Sequence, residues 1–136
     1  MMSQGPIEDR LAIRELIESY NDAVMRFDGD AWKSTWHSDA SWSLPGVGEI
    51  KGLDNFFPIW EQTMATFSFV GFFASAGPII VDGETAKGTW YQQEVLHGKD
   101  DSKRKITGKY TDDYVKQDGR WYFLSRIYEI LDAEES

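Results

Sequence analysis

The chain has no cysteine. That excludes a disulfide framework, a thiolate nucleophile and a zinc-thiolate centre, and it agrees with a reducing compartment. Histidine is nearly as scarce, with His37 and His97 the only two, so a transition-metal site would have to rest on carboxylates. No stretch approaches the ~18 apolar residues of a membrane span, and the opening MMSQGPIEDR lacks a basic segment followed by an apolar run. A cytoplasmic protein without a signal peptide is therefore expected. Cations are few: 14 Lys and Arg face 23 Asp and Glu, and the net charge of -9 opposes nucleic acid and anionic membrane as partners. Missing too are a glycine-rich phosphate loop opening a helix, a His-Glu-x-x-His pair and a serine nucleophile elbow. What remains is chemistry without a cofactor, or binding alone.

What is abundant is aromatic area. Six Trp, six Tyr and eight Phe in 136 residues exceed what a minimal core needs, and surplus rings of this kind line ligand cavities as well as cores. The length suits one domain, residues 1–136, with its core at about 7–131.

Apolar residues at three- and four-residue steps from Ile7 to Phe27 predict one amphipathic helix. Asp28-Gly29 breaks it, and Asp30 can cap a second helix over Ala31 to His37. A strand at 40–44 runs into the turn Pro45-Gly46-Val47-Gly48, and Asp54 is the expected cap of a third helix ending near Ala65, with Pro58 about one turn in. Beyond Thr66, β-branched and aromatic runs predict strands at 67–73, 78–81, 86–96, 106–116 and 121–131. Asp82-Gly83, His97-Gly98 and Asp118-Gly119 mark the turns, and the charged segment 99–105 reads as a solvated hairpin loop. The polar ends, 1–5 and 133–136, are expected to be disordered. Helices gathered on consecutive hairpin-connected strands give an α+β domain.

Several phrases, in order, resemble the SnoaL-like branch of the nuclear-transport-factor-2-like superfamily. These are Asp9, Ile13 and Leu16 in the first helix; Asp39-Ala40 with Trp42; Lys51-Gly52; Val81-Asp82-Gly83; and Gly108-x-Tyr110-x-Asp112 before Asp118-Gly119-Arg120-Trp121. The resemblance covers about Ile7 to Leu131. It implies a cone: a curved antiparallel sheet with three helices enclosing a small-molecule pocket, often in a dimer or trimer. The nearest likeness is to the hexachlorocyclohexane dehydrochlorinase and dehydratase group. That group eliminates with an Asp near the end of the first helix and a His early in the strand after the third, acting as a general-base dyad.

This chain lacks both. The Asp position falls on Met25 and the His position on Phe72 or Phe73, none of which can take a proton. What the resemblance implies instead is a pocket whose polar members are Tyr20, Glu94 and Arg126. Tyr20 is similar to the first-helix Tyr of the dehydratases, and Arg126 to a late-strand Arg common in the branch. Alternation puts Trp90, Gln92 and Glu94 on one strand face, and Leu124, Arg126 and Tyr128 on one face of the last strand. Glu94 and Arg126 are expected to pair, with Glu94 as base and Tyr20 and Arg126 on a developing oxyanion. The remaining expected pocket residues are Val24, Met25, Trp42, Phe72 and Phe73, then Trp90, Gln92, Ile106, Tyr110 and Tyr128. Asp112 is a second candidate carboxylate, beside its alternative role of anchoring a turn or an Arg. His37 reads as a surface or cap residue and His97 as part of a turn.

The functional expectation is a cofactor-independent lyase or isomerase, dehydratase-like, acting on a cyclic or aromatic substrate. The alternative is a non-catalytic small-molecule-binding or dimerisation domain.

Overall fold

A computed structural model describes residues 1–136. The first helix, α1 (Ile7–Met25), buries Ile13, Leu16, Ile17, Tyr20, Ala23 and Val24, the one stripe that 3.6-residue periodicity allows. Ile7 and Leu11 lie off that stripe and are exposed. The helix stops where Phe27 turns left-handed at φ 55°. The Asp28 amide then donates back to the Ala23 carbonyl at 2.9 Å.

The second helix, α2 (Gly29–Lys33), begins and ends earlier than expected, and its cap is Asp28 rather than Asp30. The Asp28 carboxylate accepts from the Ala31 amide at 3.0 Å, while Asp30 sits inside the first turn. The segment expected to finish this helix, Trp36 and His37, instead opens β1 (Trp36–Leu44), because Trp36 aligns with Phe123 on the last strand. A hairpin leads into β2 (Gly48–Lys51), a short strand where the sequence showed only a turn.

The third helix, α3 (Leu53–Met64), has Gly52 at its cap, and Asp54 again falls inside the first turn. Gly52 has φ 89° and its carbonyl accepts from the Asn55 and Phe56 amides, a geometry that a side chain there would strain.

Four long strands follow: β3 (Phe67–Asp82), β4 (Thr85–Gly98), β5 (Lys103–Gln117) and β6 (Arg120–Glu135). The two runs read separately at 67–73 and 78–81 are one strand with a bulge between Ala76 and Ile79. Gly77 stands at that bulge, where an added Cβ would meet the Thr89 carbonyl oxygen at 2.8 Å.

Strand order is β2-β1-β6-β5-β4-β3, every pairing antiparallel except β1 with β6, which is parallel. The result is the expected α+β cone, a curved open sheet with three helices on its inner face. The chain ends are paired rather than disordered. Gln4 bridges to the free edge of β3 through the Ile79 and Val81 backbones at 3.0 and 2.9 Å, satisfying edge groups that would otherwise stay open. β6 continues alongside β5 until Ser136 and Lys103 exchange hydrogen bonds at 2.9 and 3.1 Å. By the same pairing, only 99–102 of the charged segment is turn.

An aromatic wedge closes one side of the cone. Trp32 has no exposed surface and stacks on Trp60 at 4.6 Å between ring centroids, with Trp36, Trp42 and Phe56 at its edges. This ties the five-residue α2 to α3 and β1, since a helix so short cannot persist on its own backbone bonds.

Candidate functional site

Between α1, α3 and the inner sheet face lies an apolar cavity of about 210 Å³. Its wall includes seven of the expected residues: Tyr20, Val24, Trp42, Phe72, Glu94, Tyr110 and Tyr128. The rest are aliphatic or aromatic, such as Trp60, Met64, Val70 and Leu96, with two further polar members, Thr63 and Arg104.

Glu94 is the only carboxylate on the wall. It stands on β4 opposite Ile106 of β5, on the face that alternation assigned to Trp90, Gln92 and Glu94. Tyr128 of β6 donates its phenolic hydrogen to Glu94 Oε2 at 2.9 Å. Burial in apolar surroundings pushes the Glu94 carboxyl above its ordinary range, while the Tyr128 and Gln92 hydrogen bonds and the Arg104 cation pull it partly back. The Tyr128 phenol is in turn pushed well above its usual value, by burial first and then by the carboxylate facing it. It therefore stays a proton donor.

Tyr20 projects from α1 into the same cavity and is buried among Trp36, Phe72 and Phe123, at 6.2, 5.9 and 5.4 Å between ring centroids. Burial raises its phenol, and the nearby Arg126 cation works against that rise. Tyr110 completes this corner, its ring 4.9 Å from that of Tyr128 and its hydroxyl accepting a long 3.4 Å bond from the Trp42 indole.

Arg126 does not pair with Glu94. Its Nε and Nη2 donate to Asp112 at 2.8 and 3.1 Å, in a two-point ion pair that is almost wholly buried. The guanidinium lies behind the cavity wall, its carbon 3.7 Å from the centroid of Tyr110 and 4.6 Å from that of Tyr20. Asp112 also accepts from the Tyr114 hydroxyl at 2.8 Å, and that hydroxyl accepts from the Trp90 indole at 2.7 Å. Burial pushes the Asp112 carboxyl up, and the Arg126 cation and three donors oppose it; with only donors facing its oxygens, the geometry fits the carboxylate. Asp112 thus takes the anchoring role rather than that of a second base.

Arg126 takes Asp112 rather than Glu94 because Asp112 stands directly opposite it on β5, whereas Glu94 lies one strand further on; the alternation read through Leu124 also fails, because β6 slips register there. Asp113 aligns with Ser125 but Tyr114 with Phe123, so Phe123 and Arg126 are both buried and simple alternation through Leu124 fails.

Other expected pocket residues also lie elsewhere. Met25 is 38% exposed, as the helical angle from Tyr20 implies, and Val24 takes its place on the wall. Phe73 is 61% exposed on the outer sheet face, so Phe72 is the member of that pair in the cavity. Trp90, Gln92 and Ile106 are buried on the inner side of the sheet without reaching the cavity wall. His37 bonds Gln117 at 2.7 Å and His97 packs beside Phe69, both away from the cavity. No group of three or more His, Asp or Glu side chains is placed to hold a metal ion.

Arg104 is the charged wall residue that sequence reasoning missed, having been assigned to a solvated loop. Extending the alternation of Ile106, Gly108 and Tyr110 back by one step reaches it.

The same fold recurs in solved structures. A candidate aromatic ring hydroxylase from Novosphingobium aromaticivorans superposes with a TM-score of 0.90 at 25% identity, over 98% of this chain and 96% of that one. A candidate scytalone dehydratase from the same organism gives 0.88 at 17%, over 96% and 89%. A type 2 hexachlorocyclohexane dehydrochlorinase gives 0.86 at 18%, over 96% and 90%. No curated protein matches the sequence. The SnoaL-like domain model matches residues 6–127, nearly the whole cone and every residue of the cavity wall except Tyr128, and the chain belongs to the SnoaL-like domain family.

Proposed function

We propose that this protein is a cofactor-independent lyase or isomerase that takes a cyclic or aromatic substrate into the cavity, with Glu94 as its general base. The observation that carries this reading is a single carboxylate, raised by burial and held by Tyr128, on an otherwise apolar wall. A carboxylate so placed is a stronger base than one in water, and an aromatic lining suits a ring. Neighbours named for dehydration and dehydrochlorination, and one named for aromatic ring hydroxylation, support the substrate class.

In a dehydration, Glu94 removes a proton beside a carbonyl as charge moves onto the carbonyl oxygen. The Tyr20 phenol faces the cavity and donates to that oxygen. The carbon-carbon double bond forms as the β-hydroxyl leaves, and the proton held by Glu94 returns to it to give water. In an isomerisation the same proton returns to another carbon. Arg126 touches no substrate in this scheme; it is a positioning residue that braces Tyr20 and Tyr110 from behind. The family's Asp and His dyad has no counterpart here: the Asp position falls on Met25, which is 38% exposed, and the His position on Phe72 or Phe73.

The test is a panel of cyclic β-hydroxy ketones followed by the ultraviolet absorbance of the conjugated enone. Turnover that Glu94→Gln abolishes supports the reading. Binding without turnover in any member of the panel favours a non-catalytic binding domain.

A further inference from the structure

Arg104 is the one cation on the cavity wall, and it also lines the small groove outside, beside Glu135 and Ser136. It stands between Leu96 on β4 and Glu135 on β6, at the end of the sheet where α3 finishes. Its Nε is buried and makes no hydrogen bond, although Glu135 Oε1 is only 3.0 Å away. The pair is close but misaligned, and the Glu135 side chain is mostly exposed. The Arg104 side chain is 40% exposed, but its Nε is closed off from water and poorly aligned with Glu135, and a planar carboxylate approaching from inside the cavity would give it a straight bond. Of the other polar groups on the wall, Thr63 donates to the Ile59 carbonyl, Tyr128 to Glu94, and the Trp42 indole to Tyr110, while Tyr20 offers a neutral phenol. Arg104 is thus the wall's one charged donor, in a chain whose net charge is -9.

We infer that the substrate is an anion, a ring compound bearing a carboxylate that Arg104 holds at the cavity mouth while Glu94 works deeper in. Glu135 occupies the Arg104 head group when the cavity is empty and swings to solvent as the substrate carboxylate arrives. A mixed wall of this kind sorts ligands by polarity end to end, charged group outward and ring inward. The inference rests on the ligand-cavity reading proposed above.

The experiment measures binding by quenching of tryptophan fluorescence, since Trp42 and Trp60 are on the wall. The probes are matched pairs: benzoate and benzamide, cyclohex-1-ene-carboxylate and its amide. The intact chain binds each carboxylate about tenfold or more tightly than its amide. Arg104→Gln weakens carboxylate binding more than amide binding and so removes that preference, and Glu135→Ala, which leaves Arg104 in place, strengthens carboxylate binding. Equal affinity for carboxylate and amide in the intact chain overturns the inference and leaves the ligand cavity standing. So does a preference that survives Arg104→Gln. If no member of either pair binds, both the inference and the cavity reading fail.

Discussion

Arg126 donates twice to Asp112, at 2.8 and 3.1 Å, and leaves Glu94 with Tyr128 as its only hydrogen-bond partner at full geometry. The cation that sequence reasoning aimed at the cavity is spent behind it. The cavity base therefore has no charged partner in contact and keeps the raised affinity for protons that burial gives it.

Removing one member of the buried pair should be severe. Asp112→Ala strands the Arg126 charge and should cost about 3–5 kcal/mol, whereas Asp112→Leu with Arg126→Met should recover much of it. Chemical denaturation of the two variants and the parent checks this, and equal losses for the single and double variants would contradict it.

Glu94 should weaken the fold as it ionises. Its folded-state pKa lies above the unfolded one, so its contribution is fully present below the unfolded value of about 4.3 and is lost as pH rises through the folded value. Glu94→Gln should therefore gain in Tm relative to the parent as pH goes from 4 to 8. Calorimetry at both pH values measures the difference.

Asp9 should behave oppositely. Its carboxylate accepts from the Trp121 indole at 3.0 Å and from Lys116 at 3.1 Å, tying α1 to the β5–β6 hairpin, and these bonds hold its pKa below the ordinary range. Its contribution is present above the unfolded value of about 3.9 and is lost as pH falls through the folded one. Asp9→Asn should cost about 1–2 kcal/mol at pH 7 and progressively less toward pH 2 in urea titrations.

Gly108 sets the place of Tyr128. An added Cβ would stand 2.5 Å from Tyr128 Cε1 and 2.7 Å from its hydroxyl oxygen, so Gly108→Ala must push the ring off Glu94. Tyr128→Phe removes the same donor without the clash. Both should raise the Glu94 titration midpoint, read by carbon-13 NMR of the carboxyl, because the phenol's hydrogen bond favours the carboxylate. An unmoved midpoint in Tyr128→Phe would mean that the phenol does not stabilise the carboxylate.

The parts of this molecule governed by local periodicity were readable in the sequence. The buried stripe from Ile13 to Val24 and the shared face of Trp90, Gln92 and Glu94 follow from 3.6- and 2-residue repeats, the α+β class follows from the order of the elements, and the cone, with that face turned inward, was what the resemblance implied. What was not readable depends on pairing. The bulge at Leu124 resets which β6 residues face inward, and pairing with β6 extends β5 back through Lys103 to Lys105, bringing Arg104 onto the wall. Choice of cap was also lost: Asp28 and Asp30 are both good caps, and the left-handed turn at Phe27 decides between them. Resemblance named Met25 for the cavity, while helix geometry alone placed it at the margin and was the better guide.

The central claim is that Glu94 moves a proton on a bound ring compound. Hydrogen-deuterium exchange at the α-carbon of cyclic ketones, followed by proton NMR in heavy water, measures that step without knowledge of the natural product. The intact protein should accelerate exchange of at least one ring ketone above buffer, with Glu94→Gln, shown to be folded, slower by about a hundredfold or more. Exchange that is no faster than in buffer for every ketone that binds, or that persists undiminished in Glu94→Gln, would contradict it.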